Sequence, residues 1–552
     1  MKKNIYAALA IFNFTLYLSM KSIWSGIEGM FKIHALQYIF LGLICGLLLF
    51  SIIIKYISIH NGWLYGLISL SAVFTIALFY MLYLGIDSYR YFVRAFVEIL
   101  LMLFLIYAVY FFIFKYPKCR LSQNRPYQRI LLGTVIALIL VVSFDLDFHY
   151  TTNKPVVYAV EDTYQIVWTT STPALASVTV GEDTYYDLYA GTSRSETMVH
   201  KVTVPMSVLD NEKFYTISST HVLFRGPYSG ILGGKTELTF AFKPVDLSDG
   251  LNYYTLSDTH TQNKSAIQAA SYFGDELDFL ILAGDIMNHI ERPSDAEVIL
   301  KLGYEVTKGE KPVIYARGNH EVKGEYHDQL HRYVGSLNEK FYYTFTLSNI
   351  FGVVLDLGED HADDWWEYYG TAHYEQYRNE QTEFLNQIIT DKPYDDPSVV
   401  YRLGICHIPV TFVEDEYLDT ILNQWTMWLN EIGLDLMISG HKHQLLAFTT
   451  DIPALIPFKF HKNYDSNELT VGYRTNADFA NIIASRRSMV QSIEKKENFF
   501  GNAFTGLAIE ADLLLETQKI TFTNSDNQTV SVVDPYTGET YEHYNITFNP
   551  FN

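Results

Sequence analysis

Cysteine is nearly absent, with three in 552 residues. Cys45 falls in an apolar run, Cys119 in a basic stretch, and Cys406 stands alone in everything that follows. That spacing excludes a disulfide framework for the larger part of the chain and any zinc site built on cysteine pairs. Basic residues are also scarce, but only in one part. Up to Tyr150 there are 12 Lys/Arg against 5 Asp/Glu, and from Thr151 onward 28 against 56. So acidic a surface has nothing to draw in phosphate backbones, and nucleic acid is excluded as an expected partner. What is abundant is apolar: 49% of residues are hydrophobic in spite of a net charge of -21. The two properties occupy different stretches, which implies two environments.

The apolar runs stand at Ile5–Met20, Ala35–Ile54, Trp63–Ile86, Ala95–Phe114 and Ile130–Phe144. Most approach the roughly 20 residues that carry a helix across a bilayer. They predict a helical membrane region of about five spans over residues 1–150. The start "MKKN" suits a signal peptide, but no small-residue cleavage pattern follows Met20, so the first run reads as an anchor. Lys115, Lys118, Arg120, Arg125 and Arg129 stand between the fourth and fifth runs with no acid among them. The positive-inside rule places that loop in the cytoplasm. Everything after Phe144 is then expected to be extracytoplasmic, on a multi-pass protein of the plasma membrane. Glu98 is the one acid within a run, four residues from Arg94, and pairing or snorkelling accounts for it. A transport path would need more buried polar groups than these runs contain.

Residues 154–249 are textured as strands. "TYQIVWTTS", "ASVTVG", "TYYDLYAG", "MVHKVTVP", "KFYTISST" and "ELTFAFKP" are Val/Thr/Tyr-rich and separated by turn residues. The layout resembles a fibronectin III/Ig-like β-sandwich with Trp168 in its core. His200 and His221 read as strand residues. From residue 250 strands and helices alternate: "LNYYTLSD", "KSAIQAASYF", "LDFLILAGD", "SDAEVILKLGYEVTK", "KPVIYARGN". Such alternation predicts an α/β (α+β) layered core with its functional groups at the carboxyl ends of the strands. Further on, "NADFANIIASRRSMVQSIEKKE" reads as helical, and "FTGLAIEADL" and "KITFTNS" as strands completing a second sheet. Residues 531–552 read as a tail.

Those carboxyl ends carry one constellation after another. They are Asp258 and His260 in "SDTH", Asp285 in "AGDIMNH", Asn319 and His320 in "RGNHE", His407 in "GICHIP", and His441 and His443 in "SGHKH". Imidazole, carboxylate and amide oxygen are the donors of borderline or hard cations, and no thiolate is present to select a soft one. In order and spacing the set resembles the calcineurin-like metallophosphoesterases, over residues 250–530. The preceding β-rich segment makes the chain resemble purple acid phosphatases, with two departures. His260 stands where those have glycine, and Asn288 where they have the metal-binding tyrosine.

The resemblance implies a four-layer β-sandwich flanked by helices and two divalent or trivalent metal ions, Mn, Fe or Zn. Asp258, His260, Asp285 and His443 would hold the first and Asp285, Asn319, His407 and His441 the second. A hydroxide bridging the pair would attack a phosphate mono- or diester, with His320 as the catalytic residue. The competing class is a membrane-anchored binding or sensing protein with a non-catalytic phosphoesterase fold, against which the complete ligand set argues. His289, Glu321, His327 and His331 read as supporting or solvated residues. The insertion around Trp365, Trp366 and Tyr369 reads either as a wall of the substrate cleft or as packing. Two histidines two apart, if extended, would face one side.

Overall fold

The computed structural model describes residues 151–549, less 190, 226–229, 367, 369, 414–415, 444–445, 449–457, 462–467, 474–475, 484–503 and 534–539. The chain divides into two compact units between Asp147 and Phe148, and the described residues all belong to the second. The five apolar runs expected to cross the membrane lie outside the described residues. Among the described ones no helix is long and apolar enough to cross.

The first strands are β1 (Thr151–Val160), β2 (Thr163–Val180), β3 (Glu196–Pro205), β4 (Phe214–Arg225) and β5 (Gly230–Ala241). Alternation then begins with β6 (Leu251–Leu256), α1 (Asn263–Ala269), β7 (Phe279–Ala283), α2 (Pro293–Thr307) and β8 (Pro312–Ala316). β6, β7 and β8 run parallel, with Ile281 opposite Thr255 on one side and Ile314 on the other. A hairpin, β9 (Tyr343–Leu347) and β10 (Ile350–Leu355), opens the second sheet. It continues through α3 (Tyr374–Asp391), β11 (Tyr401–Cys406), α4 (Glu416–Ile432), β12 (Leu436–Ser439), β13 (Leu446–Phe448) and β14 (Ala480–Ile483). Its strand order is β9-β10-β11-β12-β14-β13, with β10, β11, β12 and β14 parallel. The chain closes with β15 (Thr505–Asp512), β16 (Thr517–Asn524) and β17 (Tyr544–Thr547).

Side-chain alternation along these strands creates three apolar layers. Phe279, Ile281 and Ile314 of the first sheet meet Phe345, Leu403, Ile405 and Ile438 of the second. On the other face of the first sheet Leu280, Leu282, Val313 and Tyr315 pack against Ala266, Ile299 and Leu300 of the helices. Beyond the second sheet Val353, Leu355 and Met437 pack against Leu385, Leu422, Trp425 and Leu429. The result is a helix–sheet–sheet–helix stack.

Several expectations are corrected by strand pairing. Among the described residues no free-standing fibronectin III/Ig-like sandwich stands over 154–249. β1 pairs in parallel with β8, Val157 opposite Pro312, and so fuses this segment to the sheet of β6, β7 and β8. One sheet of twelve strands runs β17-β16-β15-β6-β7-β8-β1-β2-β4-β5, with β3 and Asp183–Tyr186 joined to β2. Alternation identifies a strand and its buried face but says nothing about its partner. Trp168 is buried as expected, its indole N–H donating to Ser219 Oγ at 2.9 Å. For the same reason β15 and β16 extend the first sheet beside β6 rather than the second. The "ANII" of the expected helix is the wholly buried strand β14, a short apolar run whose period cannot separate the two structures. Residues 531–552 are more than a tail: β17 pairs with β16, and Phe548 is buried in the core between the sheets.

Candidate metal centre

Each motif begins where a parallel strand stops. β6 delivers Ser257–His260, β7 delivers Gly284 and Asp285, and β8 delivers Gly318–His320. β11 delivers His407, and β12 delivers Gly440–His443. Backbone bonds fasten these loops to one another: Asp258 N–H to Gly284 O and His260 N–H to Asp285 O, both at 3.0 Å, and Gly440 N–H to His407 O at 2.8 Å. Five motif residues take left-handed backbone, with φ of 52° at Asp258, 41° at His260, 53° at Asp285, 70° at His441 and 51° at His443. Such conformations cost on the order of 1–3 kcal/mol each and persist only where the surroundings impose them, as functional sites do. His441 and His443 are therefore not on an extended segment, as their spacing suggested. The turn sends His441 toward Asn319 and His443 toward Asp258.

All eight residues singled out in the motifs come together. The ligand atoms of Asp258, His260, Asp285 and His443 lie within 4.8 Å of one another, as do those of Asp285, His407 and His441. Asp285 belongs to both groups. Asn319 Oδ1 is 3.1 Å from His441 Nδ1, which joins it to the second. His320 borders the centre, with Nδ1 donating to Asn288 O at 3.0 Å and Nε2 3.9 Å from Asp285 Oδ2.

The donor chemistry fits metal. His407 donates Nδ1–H to Ala283 O at 2.7 Å, which turns Nε2 into the centre; it is buried without a hydrogen-bond partner and faces Asp285 Oδ2 at 3.2 Å. His260 donates Nδ1–H to Asn288 Oδ1 at 2.7 Å, and its Nε2 stands 3.2 Å from that of His443. Ring nitrogens and carboxylate oxygens that converge in this way inside a protein suit a cation between them. Burial raises the pKa of Asp258 and Asp285, yet the surrounding imidazoles outweigh it and hold both below the usual carboxylate range. Burial lowers His407, but the neighbouring Asp285 outweighs that and pushes it up to about 10, whereas burial takes His260 down to about 4. A proton on His407 supplies here the positive charge that a bound cation would bring in its place.

Glu321 is more than a solvated neighbour. It is fully buried, and its carboxylate accepts the N–H groups of Asp285 and Gly318 at 2.8 Å and of Met287 at 2.9 Å, bracing two motif loops at once. Burial and the nearby Asp285 carboxylate push it up to about 7. Sequence reasoning also passed over Glu359 and Asp360, which touch Asn319 and His441. Their signal was the position of "GED" after a buried strand, as in the other motifs. Asn288, seen only as a lost tyrosine, is the acceptor that orients His260. Cys406 is a buried free thiol as expected. His327 and His331 donate to the nearby carbonyls of Gly324 and Asp328, consistent with a supporting role. Trp365 stacks on His361 with 4.1 Å between ring centroids, and Trp366 is 65% exposed; Tyr369 lies outside the described residues.

Close approach makes Gly440 irreplaceable. A Cβ there would stand 1.9 Å from Ser257 Oγ, 2.8 Å from Asp258 Oδ2 and 2.9 Å from His407 Nδ1. Ser257 is fully buried and bonded to Asp258 and Ala283 O, so it cannot retreat. Gly440→Ala is expected to cost about 1–3 kcal/mol of stability and to deplete bound metal, measured by thermal unfolding and elemental analysis. A fully metallated variant with unchanged melting would contradict this packing.

The layered fold and a carboxylate–imidazole centre at its strand ends define a metal-dependent hydrolase of phosphoric esters. Residues 252–445 match the family model of calcineurin-like phosphoesterases, and this part of the chain is a calcineurin-like phosphoesterase domain. No curated protein matches the chain. Among solved structures it is similar to a purple acid phosphatase from seeds of yellow lupin (Lupinus luteus). That similarity has 13% identity, 72% of this chain and 75% of that one covered, and a TM-score of 0.43. It is also similar to PhoD, with 11% identity, 71% and 94% covered, and a TM-score of 0.39. A third is a predicted phosphoesterase of Streptococcus pneumoniae, with 9% identity, 54% and 99% covered, and a TM-score of 0.25.

Proposed function

We propose that the chain is a membrane-anchored, extracytoplasmic phosphoesterase working with two metal ions on phosphate mono- or diesters. The observation that carries the reading is the splitting of one donor set into two groups that share Asp285. Asp258, His260, Asp285 and His443 would hold one ion, and Asp285, Asn319, His407 and His441 the other. The donors suit Mn, Fe or Zn. Bound there, the ions supply charge neutralisation at phosphorus and a lowered pKa for water.

The chain's own residues supply the rest. The strand ends fix the donors in place, and Glu321 keeps the Asp285 and Gly318 backbones from shifting. His320, whose Nδ1–H is held by Asn288 O, keeps Nε2 toward the site; as the imidazolium it would give the Nε2 proton to the departing ester oxygen and be left as the neutral Nδ1–H form. Trp365 and Trp366 stand on the loop whose Asp360 touches His441, and are candidates for the wall against which the ester's organic group rests. The anchor is supported by the five apolar runs, and the outward orientation by the cationic loop between the fourth and fifth. The substrate is a phosphate ester outside the cytoplasm.

Full-length protein in detergent should hydrolyse p-nitrophenyl phosphate or its bis ester when supplied with Mn, Fe or Zn, and lose activity to a chelator. If no metal is bound and both esters stay intact with all three, the domain has kept the fold without the reaction.

A further inference from the structure

We infer that the second metal position depends on a carboxylate pair outside the ligand set, Glu359 and Asp360, and that without the pair the centre holds one cation instead of two. The inference rests on the two-metal reading above.

The two positions differ in charge. The first has two carboxylates, Asp258 and Asp285, beside its imidazoles, while the second has only the shared Asp285 beside Asn319, His407 and His441. A divalent cation in the second is short of negative charge at low dielectric, where that shortage matters most. The loop after β10 makes it good. Asp360 Oδ2 lies 3.1 Å from His441 Nε2, and the two Glu359 carboxylate oxygens lie 3.0 and 3.2 Å from Asn319 Nδ2. Glu359 is buried, with Lys323 Nζ at 2.9 Å as its counter-ion.

Each contact also settles an orientation. By accepting from Nε2, Asp360 keeps the imidazole proton there and leaves Nδ1 of His441 as a lone pair. By accepting from Nδ2, Glu359 turns the oxygen of Asn319, and not its NH2 group, toward that lone pair at 3.1 Å. At the first position His260 is oriented by the neutral Asn288 amide and not by a carboxylate.

The loop itself is pinned from below. The buried Arg378 of α3 donates to Leu357 O at 3.2 Å, Glu359 O at 2.8 Å and His361 O at 3.3 Å. Asp356 receives Arg317 at 2.7 Å and the Tyr377 hydroxyl at 3.0 Å. The backbone on both sides of the carboxylate pair is thereby fixed. Glu359 and Asp360 act as positioning residues, through Asn319 and His441.

The test is Mn2+ titration of full-length protein in detergent after chelator treatment, read by calorimetric stoichiometry and by electron paramagnetic resonance, which separates coupled pairs from isolated ions. Wild type should take up two ions per chain. Asp360→Asn should weaken the second about 10–100-fold, the usual effect of losing an outer partner of a metal ligand, and leave the first unchanged. Glu359→Gln combined with Asp360→Asn should bind a single isolated ion at concentrations that fill wild type. Asp360 is at the surface of the centre, so the single variant reports even if the double one fails to fold. Two ions bound with wild-type affinity in Asp360→Asn, or equal weakening of both, overturns the inference while the two-metal reading stands. A wild type that binds only one ion overturns the two-metal reading and the inference with it.

Discussion

Asp285→Asn is expected to empty both metal positions and to lower hydrolysis by at least about 10³-fold, equivalent to roughly 4 kcal/mol of transition-state stabilisation. The side chain is buried, and Asp285 is the residue common to both ligand groups. Its two oxygens have separate tasks. Oδ1 accepts the His320 N–H at 2.9 Å, while Oδ2 lies 3.2 Å from His407 Nε2 and 3.7 Å from His260 Nε2. An asparagine of the same shape must keep its oxygen on the His320 N–H. Its NH2 group is then forced into the place of Oδ2, where two protons point at the space the cations need. The substitution thus removes the shared negative charge and adds donors where only acceptors are useful. Elemental analysis and p-nitrophenyl phosphate turnover check it. Wild-type metal content together with more than a tenth of the activity would show that Asp285 is not shared.

The cluster of candidate donors was legible in the sequence because its local context repeats. Five times an apolar strand ends and a small residue or tight turn delivers Asp, Asn or His, and parallel strands bring such ends to one edge. The spacing within motifs was less informative than it looked: "GHKH" suggests an extended pair, but both histidines are left-handed and the imidazoles diverge. What surrounds the ligands was not legible. Glu321 sits two residues beyond Asn319, in a loop whose polar residues resemble any solvated turn. Only the fold reveals that its carboxylate caps three backbone N–H groups in a buried space. Glu359 and Asp360 were hidden in a stretch of acids and aromatics, where composition suggests exposure and the structure shows Glu359 buried.

The fold divides along the same line. Strands and helices whose partners lie next to them in sequence, from β6 to β8, follow from periodicity and turn residues. Pairings between distant segments do not. β1 beside β8 and β15 beside β6 join residues more than 150 positions apart, through backbone groups that every strand carries alike. Tyr401 illustrates how such pairings are then locked. Its hydroxyl donates to Gln518 Oε1 at 2.7 Å and lies 2.7 Å from the Tyr253 hydroxyl, so one buried side chain of the second sheet ties two strands of the first.

His320→Ala should separate catalysis from metal binding. His320 is absent from both ligand groups, and its contribution to the framework is a backbone N–H on Asp285 Oδ1, which alanine retains. Both ions should therefore stay, while turnover falls by about 10²–10⁴-fold, the range for loss of a positioned general acid. The size of the fall should depend on the leaving group. p-Nitrophenolate departs readily without a proton, whereas an alkoxide needs one, so the variant should lose more activity on an alkyl phosphate than on p-nitrophenyl phosphate. A merely structural role would lower both equally. Loss of metal in His320→Ala, or an equal fall on the two esters, would move His320 from proton donor to scaffold and leave the leaving oxygen to be protonated by water.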